Sequence, residues 1–178
     1  MERLVFHPDY TYGDFVGQIL PDAQEGQVRY RFQPGPFTRL LRRAEEDPCH
    51  AYYLVIEELN RGNAPAVFGE IFQLLDRDDR GASIYGITQA DIAGEVYGDK
   101  ERKVRIPSNM TLLATMNTSD QNVFPLDTAF QRRWSMRMVE NTFDGHPYAD
   151  APVLDTGVPW RRFCQVVNGA IAAGSGLL

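Results

Sequence analysis

The chain has 178 residues, 43% of them hydrophobic and 24% charged, with a formal net charge of −6. That length carries one domain with a substantial core, or one domain plus part of a second, and the composition excludes a disordered chain. The acidic balance argues against a protein whose whole surface clamps nucleic acid and leaves room only for a local basic patch, so DNA, if it is a partner, is expected to be held by another segment.

Residues Arg3 to His7 read as a short strand, and HPDYTYGDF as an ordered loop rich in turn residues and aromatics. A strand this early, with nothing before it to pair with, predicts a chain that begins inside a larger fold. Phe37, Leu40, Leu41 and Ala44 recur at helical spacing, which predicts a helix from Phe37 to Asp47 closed by Pro48. The nearly continuous apolar run AYYLVIEE has the pattern of a parallel strand buried on both faces. It is followed by NAPAVFGEIFQLLDRD, read as one helix capped by Asn63 with Val67, Ile71, Leu74 and Leu75 on one face. Arg77 to Lys103 is polar and Gly/Asp-rich and reads as an elaborated connection with hairpin-like pieces. NMTLLATMN is a second buried strand ending on Asn117, PLDTAFQRR a short helix, and WSMRMVE a weakly alternating candidate for a third central strand. Beyond Asn141 the composition turns to Pro, Gly and Asp, and WRRFCQVVNGAIAAG reads as an amphipathic helix. Two domains follow, 1–141 and 142–178, and alternating strands and helices make the fold α/β.

The two cysteines, Cys49 and Cys164, lie far apart without a C-x-x-C pair, so neither a disulfide framework nor a zinc site is indicated and a cytosolic compartment fits. MERLVFHPDY has no apolar core with a small-residue cleavage site, and no run approaches the length of a membrane span. His7, His50 and His146 are isolated, and KERKVR, Lys100 to Arg105, reads as a charged hairpin.

The apolar run ends on Glu57-Glu58, at the carboxyl end of a strand where α/β sheets collect their ligands. Neighbouring strand residues point to opposite faces, so the two carboxylates are expected to act differently, one toward a metal ion and one on a water molecule. The alternative is a pair of solvated strand-end charges. Likewise Arg132-Arg133, taken alone, reads as a solvated helix end that complements the macrodipole.

Three ordered segments resemble one family, the McrB-like branch of the AAA+ P-loop NTPases, the motor subunits of methylation-dependent restriction systems. LVIEELNRGNAPAVFGEIFQLLDRD is similar to that family's Walker B strand and following helix, and ATMNTSDQNVFPLDTAFQRRW to its sensor-1 strand and arginine-finger helix. VFHPDYTYGDFVGQILP is similar to the segment before them. The resemblance implies that 1–141 is a partial AAA+ core, a parallel sheet flanked by helices, and that 142–178 begins a small helical lid. It assigns Glu57 to holding Mg²⁺, partly through water, Glu58 to the general base and Asn117 to sensor 1. Arg132 and Arg133 fall at the positions that reach a neighbouring subunit's nucleotide, with Asp120 and Asp127 in support. It further implies Mg²⁺ with ATP or GTP, a ring such as a hexamer, a nuclease subunit as partner, DNA contacted through other segments, and no membrane. MoxR-like and dynein-related branches share this skeleton. Two departures stand out. Glu57 occupies a position where most P-loop NTPases carry Asp, and no G-x-x-x-x-G-K-[ST] occurs in the chain. The expectation is therefore an internal piece or truncated product of a longer motor, inactive by itself; the alternative is a non-catalytic remnant that serves as an assembly module.

Overall fold

The run from Tyr52 to Glu57 forms the middle of a three-stranded parallel sheet, and the rest of the first unit is arranged around it. The computed structural model describes residues 1–24, 27–118, 123–139 and 142–175. They divide into two compact units, Met1–Met136 and Arg137–Leu178.

In chain order the first unit contains β1 (Glu2–Val5), α1 (Tyr12–Phe15), β2 (Gly17–Gln24), β3 (Gln27–Pro34), α2 (Pro36–Glu46), β4 (Tyr52–Glu57), α3 (Ala64–Phe68), α4 (Ala90–Tyr97), β5 (Met110–Ala114) and α5 (Thr128–Gln131). The sheet order is β1-β4-β5, with Leu54 opposite Glu2 and Leu112, and Ile56 opposite Leu4 and Ala114. Its third member is thus the N-terminal strand. The segment WSMRMVE, expected as a strand, forms none over its described residues 134–139, where Met136, Met138 and Val139 are exposed; weak alternation without a covered face does not hold a strand. The expectation that β4 is buried on both faces is also corrected. Leu54 and Ile56 are fully buried, while Tyr53 on β4 and Leu113 on β5 are 42% and 49% exposed on the opposite face.

The covered face packs on α2, whose Phe37, Leu40, Leu41 and Ala44 are all buried, the stripe expected from their spacing. The segment after β4 departs from the single expected helix. It forms α3, then breaks at Gly69 (φ +48°) into a 3₁₀ helix, Gly69–Leu75. A Cβ on Gly69 would lie 2.9 Å from the Tyr12 ring, so both the backbone angle and the close approach of that ring require glycine there.

The connection read as hairpin-like holds a helix, α4, whose N-cap Gln89 accepts a hydrogen bond from the Ile92 amide at 2.8 Å. Isolated bridges, Arg77 with Ser83 and Ile87 with Val104, tie it down. The Arg77 guanidinium donates to the carbonyls of Gly81 (2.7 Å) and Met110 (2.9 Å), and burial pulls its pKa down to about 10. Lys100–Arg105 is no free charged hairpin either: Val104 is fully buried and Arg105 donates to the carbonyls of Ser83 and Ile84.

β2 and β3 pair antiparallel from Gly17 opposite Pro34 to Gln24 opposite Gln27, forming a hairpin outside the main sheet. Its neck is clasped. The Val16 carbonyl accepts both the Gly35 amide (2.9 Å) and the Thr38 hydroxyl (2.6 Å), and a Cβ on Gly35 would fall 2.4 Å from the Phe15 carbonyl oxygen.

In the second unit, Pro152 bridges Pro159 and α6 (Trp160–Ser175) follows, with Arg161 Nη2 3.3 Å from Asp150 and the Trp160 and Phe163 rings stacked at 5.8 Å. Among the described residues no helix is long and apolar enough to cross a membrane.

Candidate functional site

Strand alternation sends Leu54 and Ile56 into the core and therefore directs Glu57 to the open face of the sheet, where its carboxylate pairs with Arg3 of β1. Glu58 does not continue that alternation. Its backbone is left-handed (φ 54°, ψ 45°), an uncommon state for a residue with a Cβ, and it initiates a 3₁₀ turn over Leu59–Arg61. Strain at the carboxyl end of a central strand is held in place by its surroundings: the Leu59 amide donates to Thr115 (2.9 Å), and the Glu58 carbonyl accepts from Arg61 (2.9 Å).

The organiser of this end of the sheet is a residue that the sequence did not single out. Asn60 is buried; its side-chain amide donates to the Asn117 carbonyl (2.8 Å) and its backbone carbonyl accepts from Phe124 (2.7 Å). One residue, through its side chain and its backbone carbonyl, thereby ties the ends of β4 and β5 to the segment entering α5. The one sequence signal was its position, two residues past the Glu pair. Its Oδ1 is buried without a protein partner, so the turn retains an acceptor for a water or ligand donor. Asn117 lies exposed just beyond β5. Gly62 closes the turn against the segment just after β1, where a Cβ would lie 3.1 Å from the His7 carbonyl oxygen.

α5 is a single turn. Asp127 is its N-cap, accepting the Phe130 amide at 2.7 Å, and Phe130 is fully buried against Phe68, Phe72 and Trp134. The two arginines that follow have different fates. Arg132 is exposed. The Arg133 side chain is only 10% exposed: Nη2 meets Asp76 at 2.9 Å, Nη1 donates to the Ala129 carbonyl at 2.7 Å, and the guanidinium sits 4.1 Å above the Phe72 ring. Asp120 lies outside the described residues.

Near α1, Tyr10 stacks on Phe6, and the Tyr12 hydroxyl donates to Glu70 at 3.2 Å. Burial, reinforced by Asp14 for Tyr10 and by Glu70 for Tyr12, pushes both phenols up to about 12.

No group of three or more His, Cys, Asp or Glu side chains that could hold a metal occurs among the described residues. Glu57 and Glu58 nevertheless offer hard carboxylate oxygens at one strand end. That donor set fits Mg²⁺, which ordinarily takes one or two carboxylates and completes its shell with water and phosphate oxygens.

The sequence profile of the AAA domain, dynein-related subfamily, matches residues 1–134. The chain is 40% identical over 163 residues to the type II restriction enzyme BsuMI component YdiS of Bacillus subtilis (strain 168), covering 78% of this chain and 48% of that protein. It is 31% identical over 166 residues to the type IV methyl-directed restriction enzyme EcoKMcrB subunit of Escherichia coli (strain K12), covering 92% of this chain and 34% of that protein. The chain therefore spans about half the length of the first and a third of the second.

Proposed function

The chain belongs to the dynein-related subfamily of AAA domains and is McrB-like, and from that premise we propose that it is the hydrolysing half of a restriction-system motor, working in the cytoplasm together with a P-loop segment. The observation that carries this reading is the junction at Asn60, which gathers the acidic end of β4, the Asn117 end of β5 and the entry to α5. Phosphoryl transfer is catalysed mainly by positioning and by neutralising developing charge, and these are the groups such a site needs.

Glu57 is the carboxylate for the metal side, turned to the open face and kept oriented by Arg3. Glu58 is the general base, aimed by its left-handed backbone away from the strand's alternation. Asn117 orients the attacking water; Asp127, which caps α5, supports the arginines that follow, and the resemblance gives Asp120 the same supporting role. Mg²⁺ with ATP or GTP, when bound, supplies charge neutralisation at the phosphates. Arg132 is the arginine presented to a neighbouring subunit's nucleotide; Arg133 is its internal anchor. A finger supplied in trans needs a head-to-tail interface, and a closed ring, such as a hexamer, satisfies it. The names of the relatives support a nuclease subunit as partner, with DNA engaged through other segments. The presence of Glu58, Asn117 and Arg132, a base, a water-orienting amide and an exposed arginine, supports a motor over a non-catalytic assembly module.

The test is Glu58→Gln in the chain joined to a P-loop segment. Nucleotide binding is expected to persist while turnover falls by orders of magnitude, because the amide still bonds water but cannot take its proton. Turnover equal to wild type removes Glu58 from the base role.

A further inference from the structure

We propose that Asp76, at the end of the 3₁₀ helix after α3, is a positioning residue that fixes the direction of Arg132 through the buried Arg133. The inference rests on the reading of Arg132 as the arginine acting across the interface.

A one-turn helix such as α5 has too few hydrogen bonds to hold its own orientation. Phe130 provides one fixed point, buried in the aromatic cluster and stacked on Phe72 at 5.4 Å with 3° between the ring planes. One point leaves a short rod free to pivot; a second sets its direction. That second point is Arg133. Its guanidinium bonds Asp76, covers Phe72 and returns a hydrogen bond to Ala129 within α5 itself. Phe72 and Asp76 lie within and at the end of one 3₁₀ helix, so both anchors are carried by the segment that follows β4 and the Glu pair. Arg132 stands between Phe130 and Arg133, exposed, with its amide bonded to the Thr128 carbonyl at 3.1 Å. Its aim is therefore set by the 3₁₀ helix after α3 and not by α5 alone. Misplacing a catalytic group by about 1 Å costs on the order of 10²-fold in rate, so an anchor that never touches nucleotide can still govern turnover.

Two measurements on Asp76→Asn test this, a substitution that keeps size and an acceptor oxygen while removing the charge. In the 178-residue chain, amides from Phe130 to Trp134 are expected to exchange about tenfold faster or more, while those of β4 keep their wild-type rates. Unchanged exchange over Phe130–Trp134 overturns the proposal. If the variant unfolds as a whole, Asp76→Glu, which retains the charge on a longer arm, is expected to confine faster exchange to Phe130–Trp134; uniform loss of protection there overturns the proposal as well. In the chain joined to a P-loop segment, Asp76→Asn is expected to lower kcat roughly 10- to 100-fold at unchanged KM, and to add nothing in an Arg132→Ala background. An equal further loss in that background overturns the positioning role. Wild-type turnover in Arg132→Ala sinks the finger assignment instead, a result that the exchange data distinguish from failure at Asp76.

Discussion

Phe68→Ala is expected to remove a large share of the first unit's stability. Phe68 is fully buried, and its ring centroid lies 5.0 Å from Phe15, 5.4 Å from Phe130, 6.1 Å from Trp134 and 6.4 Å from Phe6. Those four rings come from the loop after β1, from α1 and from the α5 region, so no single element can move in to refill the space. Phe→Ala at such a site costs about 3–5 kcal/mol, set against a total of about 5–15 kcal/mol for a domain. With an m-value near 2 kcal/mol/M, the urea midpoint should fall by about 2 M. Phe68→Leu keeps most of the volume and loses chiefly the ring geometry, about 1–2 kcal/mol, or a shift of about 0.5–1 M. Trp134 touches Phe68 and reports the transition by fluorescence in a Trp160→Phe background. A midpoint within about 0.5 M of the parent for Phe68→Ala, at unchanged m, would refute the view that this ring is the hub joining the β4 side to α5.

In the chain joined to a P-loop segment, Arg132→Ala should cost roughly 10³-fold or more in turnover with little loss of nucleotide affinity, and mixing it with Glu58→Gln should restore activity through hybrid interfaces; a mixture as inactive as its components counts against action in trans. Arg133→Ala should instead show itself as destabilisation, about 1–3 kcal/mol from losing the charge-assisted bond to the partly exposed Asp76 and stripping the cover from Phe72, read by thermal unfolding. The 178-residue chain by itself should gain no Tm from micromolar ATP or GTP with Mg²⁺, because a ligand stabilises only as far as it binds; a rise of several degrees would contradict the need for a P-loop. Tyr10 and Tyr12 are held near 12 in the folded state against 10 in the unfolded chain, so folding favours the protonated phenols: their contribution is complete below pH 10 and is lost as pH rises toward 12. Tm should drop across that window, and Tyr12→Phe should make the drop shallower.

Much of the sheet was legible because β4 and β5 are short, mostly apolar runs, YYLVIE and MTLLA, and α2 because its four apolar residues keep one helical face. The 3₁₀ break at Gly69 was not, since what requires it is the ring of Tyr12, remote in sequence and in contact only after folding. Periodicity gave no sign of the β2–β3 hairpin: Ile19, Val28 and Tyr30 stay exposed, so no burial imprinted an alternation on it. α4 was hidden by its shortness and by Gly94. At the candidate site, the Glu pair and Asn117 stood out by their place at strand ends, whereas Arg132 and Arg133 are equivalent as letters. What separates them is Asp76, 57 residues earlier, and the face of a 3₁₀ helix that the expected α-helix would have placed differently. Asn60 escaped notice because its work is done by a backbone carbonyl and an amide reaching another loop.

The clasp between Val16 and Gly35 makes the intervening hairpin a closed excursion: the chain leaves the core and re-enters it at hydrogen-bonded neighbours. Its two feet are pinned whatever the reach of its tip, so the entropy of joining them hardly registers its size; doubling such a loop adds only about 0.6 kcal/mol. Lengthening the hairpin thus leaves its two feet in place, while β3 stays held against α2 and α4, which makes its outward residues a natural place for this scaffold to accept a grafted specificity.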